Sequence, residues 1–185
     1  AVDPCGIVYE LKQHTSKQLD IELGALFVAM ITWGNRKAIK TAARKMLGEE
    51  MEWEPASFIF EKKYLESYKE AKNGCVYRTL NREKFIEVCQ RIHLALTEYI
   101  TEREVYIEDL TLEKMFEHNS IEEIIAILCE WLAPARLGKA GVSACKRICM
   151  YLRWMVRTVE PDLGLWSNKK ASQLYAVMDV HVCKL

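Results

Sequence analysis

Two ionisable residues in the C-terminal third stand where helix physics alters their chemistry. Lys146 falls in the first turn of a helix predicted over 144–158. The unpaired N–H groups and the dipole of a helix start disfavour positive charge there. Arg147 and Arg153 add like charge nearby. Both effects favour the neutral, nucleophilic form of the amine. Asp179 follows the apolar run Leu174-Tyr175-Ala176-Val177-Met178 at a predicted helix start, where a carboxylate is held in place and favoured as an anion. A neutral amine and a fixed carboxylate suit displacement at an anomeric sugar carbon. The amine attacks and the base departs, while the carboxylate stabilises oxocarbenium-like charge and helps move the proton. Taken alone, such residues more often have plainer roles, as a solvated lysine and an N-cap aspartate.

The elements that must position these groups are helical. The 17–33 segment places Leu19, Leu23, Leu26, Phe27, Met30 and Ile31 on one broad apolar face, and Gly34-Asn35 breaks it. Asn35 is the expected N-cap of a second helix over 36–47, stopped by Gly48. That helix carries Arg36, Lys37, Lys40, Arg44 and Lys45, which read first as a solvated basic face and second as a phosphate-facing stripe. A helix is predicted over 54–72, ending at Asn73-Gly74, and Asn81 caps a long one over 82–101. A short helix follows near 112–117, and Ser120-x-x-Glu123 reads as a capping box opening 121–132. Pro134 ends that helix, and 135–142, with Gly138 and Gly141, reads as a turn or hairpin. Ser143 is the expected cap of 144–158, and 161–167 is a loop. The 76–80 stretch is the one candidate strand, without the repeated alternation that builds a sheet.

A chain of 185 residues, half of them apolar, is long enough for one domain with a real core. The reading is a single helical domain over 1–185, with a bundle lobe over 17–133 and a hairpin-bearing half over 134–185. Formal net charge is zero, which removes the simplest argument for nucleic-acid binding. The charge is uneven, however. Residues 134–185 carry nine Lys and Arg against three Asp and Glu, so a neutral chain still has a basic end. The seven cysteines form no Cys-x-x-Cys, and their odd number cannot pair completely. Cys89, Cys129, Cys145 and Cys149 sit in helical patterns and read as small core hydrophobes in a reducing compartment. Cys145 and Cys149 share a helix face, yet no His or acid stands at the matching spacing, so no metal site is assigned. No signal peptide or membrane span is visible, and a cytoplasmic monomer is expected. The chain starts without Met and stops after Cys183-Lys184-Leu185, the pattern expected of a C-terminally truncated fragment.

Motif resemblance sharpens this picture. Ser143-Ala144-Cys145-Lys146-Arg147-Ile148-Cys149-Met150-Tyr151-Leu152-Arg153-Trp154, followed by Met178-Asp179-Val180-His181-Val182, resembles the Lys…Asp-x-His signature of the helix-hairpin-helix (HhH-GPD) DNA glycosylase superfamily. That superfamily includes endonuclease III and the 8-oxoguanine glycosylases. Leu152-Arg153 is similar to the bacterial and archaeal 8-oxoguanine branch. Leu26-Phe27-Val28-Ala29-Met30-Ile31-Thr32-Trp33-Gly34-Asn35-Arg36 resembles the superfamily's early helix and turn, which border the DNA and the lesion pocket. A narrower resemblance runs through nearly the whole chain. Ile31-Thr32-Trp33-Gly34-Asn35-Arg36-Lys37, Tyr77-Arg78-Thr79, 143–157 and 174–182 together resemble DUF2400, a bacterial family of unknown function.

The resemblance implies an all-α, HhH-GPD DNA-glycosylase-like fold with a degenerate hairpin. It implies Lys146 as a Schiff-base nucleophile assisted by Asp179. It places Trp33, Asn35, Arg36, Gly138, Lys139, Gly141 and Arg147 on double-stranded DNA, with an oxidised purine as the substrate base. No cofactor is expected within the chain, and the iron–sulfur cysteines of endonuclease III would lie beyond residue 185. There are departures. Leu137-Gly138-Lys139-Ala140-Gly141-Val142 has two glycines but lacks the proline and spacing of a Leu-Pro-Gly-Val-Gly hairpin. Lys146 and Asp179 are 33 residues apart, longer than most of the superfamily uses. Two alternatives stand beside the enzyme reading: a non-catalytic DNA-binding protein of the same fold, and a helical protein-interaction module.

Overall fold

The computed structural model describes residues 3–66 and 74–177. Its centre is α2 (Gln18–Ile31), in which every residue after Gln18 is buried. A helix apolar nearly all round has no solvent face and must be enclosed by neighbours. α1 (Gly6–His14), α3 (Arg36–Arg44), α4 (Pro55–Phe60) and α8 (Lys146–Val156) supply them. The remaining helices are α5 (Arg82–Arg103), α6 (Leu112–Met115) and α7 (Ile121–Trp131). α5 packs on α4 and α7, and α7 packs on α8. The mostly helical expectation therefore holds. Trp131, Trp154 and Trp166 are buried, as core residues rather than surface platforms.

Two acidic residues inside α2 organise its surroundings. Asp20 Oδ1 accepts from the Ala56 N–H at 2.8 Å, so the start of α4 is capped by a residue 36 positions earlier. Glu22 is fully buried. Its carboxylate accepts from the Leu112 N–H at 2.6 Å and the Glu113 N–H at 3.1 Å, at the start of α6. It also accepts from Gln18 Nε2 at 3.1 Å and from the Trp166 indole N–H at 2.7 Å. Burial pushes the Glu22 carboxyl above its ordinary value, while these four donors pull it back.

Local caps follow the sequence expectation. The Asn35 side chain accepts from the Lys37 and Ala38 N–H groups, Asn81 accepts from Lys84, and Ser120 and Glu123 form the reciprocal capping box of α7. Several boundaries differ. The helix expected over 36–47 is not stopped by Gly48: α3 ends at Arg44 and continues as a wider π turn, Lys45–Glu50. The helix expected over 54–72 breaks after Phe60, where Lys62 takes a left-handed backbone (φ 55°) and a short 3-10 turn follows. Residues 67–72 of that expectation lie outside the described residues. The 76–80 strand is a two-stranded antiparallel hairpin, β1 (Cys75–Tyr77) with β2 (Leu80–Asn81), turned by Arg78 and Thr79. No helix among the described residues is long and apolar enough to cross a membrane.

Candidate functional site

α8 begins at Lys146, so the lysine does occupy the first helical position. The cap is not Ser143, however. Cys145 holds that position with a left-handed backbone (φ 42°), and its carbonyl accepts from the Ile148 and Cys149 N–H groups at 2.9 and 3.0 Å. Ser143 instead closes the preceding turn. Its hydroxyl accepts from the Lys139 N–H at 2.9 Å and donates to the Lys139 carbonyl. Gly138 is required there, because its backbone runs at φ 127° and a Cβ would stand 2.3 Å from Ser143 Oγ. The segment after the 3-10 turn Ala133–Ala135 is thus a tight turn and not a pair of helices. Gly138, Lys139 and Gly141 are exposed on it, and Lys146 is exposed beside it.

Arg147, expected on the DNA-binding face, turns inward. Its guanidinium donates to the Met30 carbonyl at 2.6 Å and to the Arg136 carbonyl at 3.4 Å. Met30 lies in the last turn of α2, where carbonyls lack intrahelical partners and a cation is favoured by the dipole. Burial pulls the Arg147 guanidinium below its ordinary value. The contact joins the start of α8 to the end of α2, and so to the turn that follows α2.

That turn carries Trp33, Gly34, Asn35 and Arg36. Trp33 is half-buried and packs edge-on against Tyr77, with ring centroids 6.1 Å apart. The Tyr77 hydroxyl donates to the Trp33 carbonyl at 2.8 Å. The Arg78 guanidinium lies over the Trp33 ring, 4.4 Å from its centroid. Gly34 has φ 97°, and a Cβ there would fall 1.8 Å from Arg78 Nη1, so glycine is what lets the arginine lie flat. Asn35 is occupied as the α3 cap, and Arg36 is exposed in the first turn. The sequence had left Tyr77-Arg78-Thr79 without a role. Its signal was composition only, an aromatic and a cation on a short strand, and the partner 44 residues away was not visible.

A cavity of about 620 Å³ opens beside the start of α8. Gly141, Ser143, Cys145 and Cys149 form one wall, and Glu122, Tyr175 and Ala176 form another. The Tyr175 hydroxyl donates to the Glu122 carboxylate, which holds Glu122 below the usual carboxylate range. This bond fastens the 174–177 segment to the first turn of α7. Asp179 and His181 lie outside the described residues. The chain three residues before Asp179 and the residue before Lys146 nevertheless line the same hollow.

The cysteines at this end are close together. Cys129, at the end of α7, lies with its sulfur 3.3 Å from that of Cys145, and Cys149 Sγ contacts the Ala144 carbonyl. Among the described residues, no group of three or more His, Cys, Asp or Glu is placed to hold a metal ion. No curated protein and no solved structure matches the chain. The match that does exist covers nearly its whole length: over residues 3–185 the chain belongs to DUF2400, a family described as protein of unknown function.

Proposed function

We propose that this chain binds double-stranded DNA at the end where α2 and α8 meet and removes a damaged base there, with Lys146 as the amine nucleophile and Asp179 assisting. One observation carries the reading. The segments leading to the amine and to the acid converge, with Cys145 and Ala176 on one cavity of about 620 Å³. Exposed Lys139 and Arg36 are available to phosphates at the same end, which Arg147 ties together through Met30.

In the proposed reaction the Lys146 amine attacks C1′ and the C1′–N bond to the base breaks. The base leaves with a proton, and the amine loses its protons as the sugar ring opens to the imine. Asp179 stabilises the positive charge that develops at C1′. The glycosylase resemblance supplies the substrate guess, an oxidised purine flipped from the duplex. Borohydride reduction of the imine on 8-oxoguanine or abasic duplexes tests this reading. A covalent adduct that disappears in Lys146→Gln is expected. No adduct with the native chain, or one that persists in Lys146→Gln, refutes it.

A second reading keeps DNA binding without catalysis. The Gly138–Gly141 segment favours it, being a tight turn rather than a helical hairpin that grips phosphate through stacked N–H groups. It predicts salt-dependent duplex binding that is unchanged in Asp179→Asn, with no trapped adduct.

A further inference from the structure

We infer that Cys129 and Cys145 are a redox-active thiol pair that closes to a disulfide on meeting a low-molecular-weight disulfide oxidant, cross-linking the end of α7 to the residue that starts α8. The inference does not depend on DNA as a partner. The two sulfurs are in contact at 3.3 Å across 16 residues of chain, and both residues are free cysteines. They are not sealed in the core in the way of Cys5 and Cys89, which are fully buried. Cys145 lines the cavity of about 620 Å³, and Cys129 lines a neighbouring one of about 960 Å³. Ala140 lines both, so the Gly138–Gly141 turn is the cover over the sulfur pair. A Cβ at Gly141 would meet nothing within 4 Å, so this part of the cover faces open space.

The backbone at Cys145 is a second, independent indication. Its left-handed φ of 42° disfavours any side chain, and glycine would take it without strain. A cysteine stands there instead, with its thiol against that of Cys129.

The chemistry balances with an external disulfide, RSSR. The Cys145 thiolate attacks one sulfur of RSSR, whose S–S bond breaks. A mixed disulfide forms, and the departing thiolate takes up a proton. Cys129 then attacks the Cys145 sulfur, gives up its proton, and expels the second thiolate. Two protein thiols are oxidised and one RSSR is reduced to two RSH. Burial pushes the Cys129 thiol up to about 12, so its attack depends on the mixed disulfide being held in contact with it on Cys145. The product clamps the loop that carries Gly138, Lys139 and Gly141.

The test treats the full native chain with oxidised glutathione, blocks the remaining thiols, and maps peptides by mass. The intact chain is expected to lose two hydrogen masses, with one cross-linked peptide joining Cys129 to Cys145 and slower tryptic cleavage after Lys139. Cys129→Ser and, as a smaller apolar replacement, Cys129→Ala are expected to stop at a glutathione adduct on Cys145. Circular dichroism of each variant confirms that it is folded. No mass loss in the native chain, a cross-link through Cys149 or Cys183 instead, or mass loss that survives Cys129→Ala overturns the inference.

Discussion

Arg147→Met separates two roles that a basic residue next to Lys146 could play. In the structure the guanidinium is an inter-helix tie to the Met30 carbonyl at 2.6 Å, placed at the C-terminal end of α2. A hydrogen bond from a charged donor contributes about 1.5–3 kcal/mol net. A cation at a partly buried helix C-terminus adds up to about 2 kcal/mol, a term that overlaps the first. The Arg136 contact is long at 3.4 Å and adds little. Against these stands the cost of burying the guanidinium, which its lowered pKa reports. Methionine keeps much of the apolar stem and leaves the carbonyl without its donor. The net expected loss is about 2–3 kcal/mol, or roughly 4–12 °C in Tm for a chain of this size. Thermal unfolding followed by far-UV circular dichroism reads it directly. Duplex affinity measured against salt provides the contrast. If Arg147 binds phosphate, stability stays within about 0.5 kcal/mol, while the slope of log K against log salt falls by about one. That pair of results refutes the tie.

Two further substitutions probe the scaffold. Gly34→Ala carries a backbone cost of roughly 1–2 kcal/mol for the left-handed region and drives a Cβ into the Arg78 guanidinium. The total loss in urea unfolding should therefore shrink in an Arg78→Ala background, and an equal loss in both backgrounds counts against the stacked geometry. Glu22→Gln keeps the shape but turns a donor toward donors, at a cost of about 1–3 kcal/mol. Burial raises the Glu22 carboxyl, so the native chain keeps a proton that the unfolded chain has already released. Native stability consequently falls as pH rises from the ordinary carboxylate range to the raised value, and is level above it. The variant lacks that slope, and an unchanged pH profile would mean that Glu22 is not the group responsible.

What the sequence made legible was local. Asn35, Asn81 and Ser120 cap their helices because each reaches N–H groups two or three residues ahead, a distance that sequence spacing encodes directly. The broad apolar face read over 17–33 likewise marked the central helix, which the structure buries on all sides from Leu19 to Ile31. What failed was set by partners far along the chain. The expected long helix over 54–72 breaks after a short α4, whose start is capped by Asp20 from another helix and not by a neighbouring side chain. The hairpin at Tyr77-Arg78 acquires its role only against Trp33. Cys129 and Cys145 look like two unrelated core cysteines until α7 and α8 bring them into contact.

The start of α8 shows why a correct position can come from an incorrect cap. Ser143 has the right residue type and falls at the right spacing, yet its hydroxyl closes the turn on Lys139. The helix can still begin at Lys146 because three longer-range constraints fix its first turn. Arg147 reaches Met30 across 117 residues, Cys145 sits on Cys129, and Ile148, Cys149 and Tyr151 are buried against the interior. A cap contributes about 1 kcal/mol, less than the burial of two or three apolar side chains on the inner face of the helix. Tertiary packing therefore sets the register, and the backbone at Cys145 bends into the left-handed region to meet it. The same packing leaves Lys146 exposed on the outer side of the turn, next in sequence to Cys145, which lines the hollow together with Ala176. Between buried Cys145 and half-buried Arg147, the backbone of Lys146 is fixed while its side chain stays exposed, the arrangement that the proposed amine nucleophile would use.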